Sequence, residues 1–295
     1  VPTSDLPFVS VIVPVRDDPR LSACLSQLIR QTYPTSRFEI IVADNGSREP
    51  VRARGDVHVI QVPSPGSYSA RNAAVEQSRG TILAFTDSDC LPADDWLAES
   101  VAGIAAGAGV VAGHVQVYAR DARRPSPIEA YELVHAFPQE RYVARRGACV
   151  TANMTTTREA FDAVGGFKSE LLSGADIEWS QRANAAGYLT MFRASAVVRH
   201  PARQTFAAMS GKLRRVIAGR YERDALEGNP ALAPWPRPRS VLPPLGAFRR
   251  AAEAGELRTV RARASFIVGE FYHRYASAWI ATELAWRARR SRRAS

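Results

Sequence analysis

"LAFTDSDCLP" (residues 83–92) runs from three apolar residues into two aspartates separated by one serine. Leu83, Ala84 and Phe85 offer no counter-charge to Asp87 and Asp89. On extended or turning backbone, residues i and i+2 can point the same way. The pair therefore either decorates a solvated turn or faces a cation. D-x-D alone is common in turns, so the surrounding chain has to decide.

That chain alternates two periods. "FVSVIVPV" (8–15) is a β-branched run that predicts a buried strand. Residues 19–32 place Leu21, Leu25, Leu28 and Ile29 at helical spacing. Strands are predicted over 38–47, 57–63 and 81–87, with a helix over 67–78. Strand–helix alternation with short connections predicts a parallel sheet covered by helices. Ligands bind beyond the carboxyl ends of such strands. The polar clusters fall at those ends: Arg16–Asp17–Asp18, Asp44–Asn45–Gly46–Ser47 and Asp87–Ser88–Asp89.

Downstream, the pattern predicts a helix over 92–106 with Asp94 and Asp95 in its first turn, and a strand over 109–119. Residues 126–147 give no clear period. A helix should run from about Arg158 to Gly165–Gly166, another over 175–187, and one or two strands over 188–200. Residues 205–227 read as a basic helix. Six prolines between Asn229 and Leu245 predict an extended linker. Helix returns over 247–290, with Ile267, Phe271, Tyr275, Ala278 and Trp286 near one face, and the Arg-rich end is expected to fray.

The chain has 295 residues and a net charge of +10. The excess is local: residues 201–295 carry 19 basic and 7 acidic residues, whereas the first 200 carry 20 and 22. Such asymmetry suits an acidic partner or a solubilising Arg-rich face. Cys24, Cys90 and Cys149 are distant and odd in number, which disfavours a disulfide framework or zinc site and suits a reducing compartment. No signal peptide is expected from the N-terminal residues. The most apolar run, 264–286, is interrupted by Glu270, His273, Arg274 and Glu283, so membrane contact is expected to be peripheral.

With these residues in view, residues 8–200 resemble the family 2 glycosyltransferases of GT-A fold. "VSVIVPVRDD", "IIVADNGS", "SYSARNAAVEQSRGTILAFTDSDCLP", "TANMTTTREAFDAVGGF" and "SGADIEWSQRANAAGY" occur in that family's order and spacing. The resemblance implies an α/β fold: a Rossmann-like, mostly parallel central sheet flanked by helices, with a helical basic extension. It implies a catalytic domain over 1–203, with a nucleotide-sugar half near 1–115 and an acceptor half near 116–203. A basic helix (204–228), a Pro-rich linker (229–246) and a basic helical segment (247–295) would follow.

The resemblance also implies roles. Asp44 would accept a nucleobase imide N–H, with Pro14 and Val15 flanking the base. Arg71 would pair with donor phosphate or ribose. Asp87 would contact ribose or metal, and Asp89 would be the principal ligand of Mg²⁺ or Mn²⁺. His200 would complete that shell or serve as a packed residue. Asp176, at a helix start, would be the general base of an inverting displacement. Trp179 and Glu178 are acceptor-side candidates, Trp179 equally a core candidate. The implied enzyme is a glycosyltransferase of the hexosyltransferase class, acting in polysaccharide or cell-envelope assembly. Its expected donor is a UDP, dTDP or GDP sugar, and its acceptor a saccharide or lipid-linked hydroxyl. The expected location is cytoplasmic, with peripheral contact to anionic membrane through residues 204–295. Asn45, Asp17 and Ala175 depart from the family's usual acid, Asn and Glu.

Three other classes fit the residues less well. A sugar-1-phosphate nucleotidyltransferase usually has a Gly-rich basic loop after strand one, where this chain has "VRDDPR". A non-catalytic nucleotide-sugar or nucleic-acid binding protein would not need Asp44, Asp89 and Asp176 together, and 201–295 holds no recognised nucleic-acid motif. No G-x-G-x-x-G follows the first strand, which disfavours a dinucleotide-binding dehydrogenase.

Overall fold

The structure is a computed structural model that describes residues 5–52, 55–226 and 242–294. The predicted 229–246 linker lies largely outside the described residues. Residues 1–116, 137–170 and 175–200 form one compact unit; 117–136, 171–174 and 201–295 form a second. The two units therefore divide the chain differently from the sequence partition at 203.

The first unit begins with β1 (Val9–Val15), α1 (Leu21–Ile29), β2 (Phe38–Asp44), β3 (Val57–Gln61), α2 (Ser67–Glu76) and β4 (Ile82–Thr86). All seven residues of β1 and all five of β4 are buried, as expected for strands covered on both faces. β1 pairs in parallel with β2 and β4, and β2 with β3. The register sets Val15 beside Asp44. The carboxyl ends thus open at one edge, and Asp44 and Asp87 arrive there together.

Beyond β4 the sheet changes sense. β5 (Leu91–Pro92), α3 (Trp96–Ala105), β6 (Val110–Tyr118), α5 (Gln139–Arg146), β7 (Asn153–Thr157), α6 (Arg158–Val164), α7 (Ala175–Ala185) and β8 (Thr190–Pro201) follow, with α4 (Pro127–His135) placed in the second unit. The strand order is β3-β2-β1-β4-β7-β6-β8-β5. β7 runs antiparallel to both β4 and β6, and β5 runs antiparallel to β8. The result is a mixed α/β sheet whose parallel half carries the first four long strands.

The helix expected from residue 92 starts four residues later. Leu91 and Pro92 instead pair with Arg199 and Val198. Asp94 lies outside α3, in an exposed ion pair with Arg30, and Asp95 is the N-cap without a side-chain capping bond. The buried Asn153 amide locks the antiparallel half. Its Nδ2 donates to the carbonyls of His114 and Ala196, each at 2.9 Å, and its Oδ1 accepts from the Trp96 indole at 2.8 Å. A Cβ at Gly113 would sit 2.4 Å from that amide, so only glycine fits.

The second unit holds α4, α8 (Phe206–Leu226), α9 (Gly246–Glu253) and α10 (Val260–Ala294). The helix predicted over 247–290 is two helices, and α10 continues through the end expected to fray. Ala262, Phe266, Glu270 and Ile280 of α10 turn inward, whereas Tyr275 and Trp286 on the predicted shared face are exposed. Ala130, Ala251, Leu257, Ala262 and Phe266 form one core cluster, and Ile128, Met209, Leu213 and Ile280 another. Among the described residues no helix is long and apolar enough to cross a membrane.

Candidate active site

Asp87 and Asp89 lie in the turn that leaves β4. The Arg71 guanidinium, buried on α2, pairs with Oδ1 of Asp87 and sits over the Tyr68 ring at 5.6 Å. Asp89 Oδ2 lies 3.5 Å from His200 Nε2 and 3.3 Å from Arg20 Nη2. The β5–β8 pairing explains the His200 contact: Leu91 opposes Arg199, so His200 falls across from Cys90. The His200 ring is buried against Phe137, centroids 4.5 Å apart.

Arg20 and Asp18 belong to this cluster, although the sequence reading gave them no role. Arg20 donates to both Asp18 oxygens at 2.9 Å, and Ser88 donates to Asp18 at 3.2 Å. Burial pushes the Asp18 carboxyl up, but Arg20 and Ser88 outweigh it and hold it below its ordinary value. Burial raises Asp89 above its ordinary value; Asp87 and Asp18 add to this, against His200 and Arg20. Two basic residues in "RDDPR" next to a predicted strand end were the available signal.

One ligand atom each from Asp87, Asp89, Cys90 and His200 falls within 4.8 Å of the others. Burial lifts the Cys90 thiol well above its ordinary value, so it stays protonated. The remaining set is two carboxylates and an imidazole. That set fits a hard divalent cation such as Mg²⁺ or Mn²⁺ better than a thiophilic one.

Asp44 is fully buried at the end of β2. Its Oδ1 accepts from the Ser47 N–H at 2.9 Å; its Oδ2 accepts from the Val51 N–H at 2.9 Å and Gln61 Nε2 at 3.2 Å. Burial pushes this carboxyl up, and those hydrogen bonds outweigh it, so its pKa lies below the ordinary value. In this arrangement Asp44 builds the turn after β2, beside Val15 at the end of β1. Asn45 closes the neighbouring loop: its Nδ2 donates to the Val62 and Ser64 carbonyls at 3.1 and 2.6 Å, and its Oδ1 accepts from Gly66 at 2.8 Å.

Asp176 sits buried at the start of α7. Its Oδ1 accepts from the Tyr68 hydroxyl at 3.1 Å and its Oδ2 from the Thr151 N–H at 3.2 Å. Burial raises its pKa; the Thr151 N–H, Arg71 and Tyr68 oppose the rise. Tyr68 was not foreseen as a partner, although it precedes Arg71 by three residues on one helix face.

The two acceptor-side candidates take other roles. Trp179 is fully buried, stacked on Phe161 at 5.4 Å, with its indole donating to the Gly165 carbonyl at 2.7 Å. It belongs to the aromatic core with Phe85 and Phe167, and it offers no face to a sugar. Glu178 Oε1 is engaged by Lys168 and Arg182, both at 2.8 Å.

A mixed α/β sheet with acids gathered at the carboxyl ends of its parallel half matches the GT-A glycosyltransferase fold. Solved structures share this fold. A mannosyltransferase from Pyrobaculum calidifontis in complex with GDP-Man and Mn²⁺ superposes with a TM-score of 0.54 at 19% identity, over 98% of this chain and 76% of that one. S. aureus TarS 1–349 in complex with UDP gives 0.51 at 16% identity, over 92% and 90%. The Glycosyl transferase family 2 description matches residues 10–167. Glycosyltransferase AglE of Haloferax volcanii is 35% identical over 231 residues, 75% of either chain. Validoxylamine A glucosyltransferase of Streptomyces hygroscopicus subsp. limoneus is 30% identical over 249 residues, 70% of this chain and 54% of that protein. The chain belongs to glycosyl transferase family 2.

Proposed function

We propose that the protein transfers a sugar, with inversion, from a nucleotide-diphospho-sugar to a hydroxyl of a saccharide or lipid-linked acceptor, and that it uses a divalent cation. The observation that carries this reading is the convergence of Asp87, Asp89 and His200 at the carboxyl end of β4, within 4.8 Å. The complexes of its fold relatives with GDP-Man and Mn²⁺, and with UDP, support it.

Asp89 and His200 would hold the cation, with Asp87 beside them on the ribose or the metal. When bound, the cation acts as a Lewis acid for the leaving diphosphate. Arg71 holds and aims Asp87 through their ion pair, and Arg20 adds positive charge where the leaving group departs. The turns built by Asp44 and Asn45, with Pro14 and Val15, would receive the nucleobase. A direct Asp44 contact to the imide would replace the bond from Gln61.

Asp176 would take the acceptor hydroxyl proton as the acceptor oxygen bonds to the anomeric carbon. The bond from that carbon to the diphosphate oxygen breaks with its electron pair leaving on the diphosphate. A burial-raised pKa makes Asp176 a stronger base than an ordinary aspartate. Three buried free thiols support a cytoplasmic location. Proton NMR of the first product formed from an α-linked donor tests the stereochemistry: a β-linked product is expected, and an α-linked one would rule out direct displacement from Asp176.

A further inference from the structure

Besides the face it buries, α10 carries an exposed stripe that is apolar in its middle and basic at its ends. Arg261, Val268, Tyr275, Trp279, Trp286 and Arg290 fall within about 60° of one face at 3.6 residues per turn, and all six are exposed. Trp279 is 71% exposed, Trp286 52%, Val268 51% and Tyr275 40%. The opposite side buries Glu270, which is held by His135 and Arg250. Phe266 and Ile280 of the same helix are buried, so this second set of large apolar side chains is left on the outer face. The stripe spans about 44 Å at 1.5 Å per residue. Alongside it a groove of about 630 Å³ opens between α8 and α10, lined by Phe206, Tyr272 and Trp279 with Arg214.

We infer that this face is a docking surface for an anionic phospholipid bilayer. Trp and Tyr prefer the boundary between headgroups and acyl chains, and Arg at the ends of an apolar stripe can reach anionic headgroups. Residues 201–295 carry 19 basic residues against 7 acidic. The acid beside the stripe, Glu283, is already neutralised by Arg214 and Arg287. Arg290 stacks on the Trp286 ring at 4.4 Å, which joins the cationic and aromatic parts of the face. Self-association through the same face would bring Arg261 and Arg290 of two copies together, so charge complementarity favours lipid.

The test is sedimentation of the full chain with vesicles of phosphatidylcholine alone or mixed with phosphatidylglycerol. Co-sedimentation with the anionic vesicles is expected, weakened by added salt. The double variant Trp279→Ala/Trp286→Ala should partition about tenfold less well, from the apolar area it withdraws. Its melting temperature and its nucleotide affinity in solution should be unchanged, so this result is separable from the fate of the transferase reading. Equal binding to neutral and anionic vesicles, or binding indifferent to both tryptophans, would overturn the inference. A dimer in solution that the double variant dissociates would overturn it in favour of a second copy.

Discussion

The Tyr68 hydroxyl donates to Oδ1 of Asp176 across 3.1 Å, joining residues 108 apart in the chain. Tyr68 shares α2 with Arg71, and Arg71 pairs with Asp87. The proposed base and the carboxylate after β4 are thereby held by one helix.

This coupling sets an expectation for pH. Asp176 must be ionised to accept a proton, and burial raises its pKa. The acid limb of kcat/KM should therefore lie above that of an ordinary aspartate. The Tyr68 bond favours the ionised form, so Tyr68→Phe should move the limb to higher pH and lower the rate by about tenfold or less. Asp176→Asn should cost about 100-fold or more with donor affinity retained. A pH–rate profile of the three proteins checks this; an unmoved limb in Tyr68→Phe would remove the coupling.

Asn45 gives a second expectation. A carboxylate there would face the Val62 and Ser64 carbonyls that now accept its N–H groups. Asn45→Asp should destabilise the loop into α2 by about 1–3 kcal/mol and weaken donor binding. Denaturant melts and nucleotide titration of the variant would show it; a silent substitution would mean that the loop is held elsewhere.

Acid should loosen the second unit. Glu132 and Glu270 each sit at about 2, against an ordinary value of 4.5. Burial pushes both up, but Lys212 and Arg203 outweigh it at Glu132, and His135 and Arg250 at Glu270. Both folded values are depressed, so their stabilisation is present above about pH 4.5 and is lost as pH falls towards 2. Thermal melts across that window should fall steeply, and Glu132→Gln should start lower and fall less.

Much of this was legible because the first 90 residues obey strong local rules. β-branched runs ending in polar turns located β1, β2 and β4 and brought Asp44, Asp87 and Asp89 to one edge. The antiparallel half was harder to read. β5 is two residues long and exists only through its pairing with β8, which no local period can show. Likewise, the site contacts of Arg20 and Tyr68 depend on which distant acids the fold delivers. Trp179 could have been either core or platform, because an indole beside a predicted site reads the same until its neighbours are known. In α10 the helical period groups Tyr275 and Trp286 on one face, but period alone does not say whether that face is buried, and both are exposed.

Asp89 is proposed to help hold a divalent cation required for donor binding. Calorimetric titration with UDP, dTDP and GDP, with and without Mn²⁺, tests it most directly. Wild type should bind at least one of these diphosphates much more tightly with Mn²⁺, and Asp89→Ala should lose this gain while its melting temperature holds. Binding indifferent to Mn²⁺, or a gain undiminished in Asp89→Ala, would contradict it.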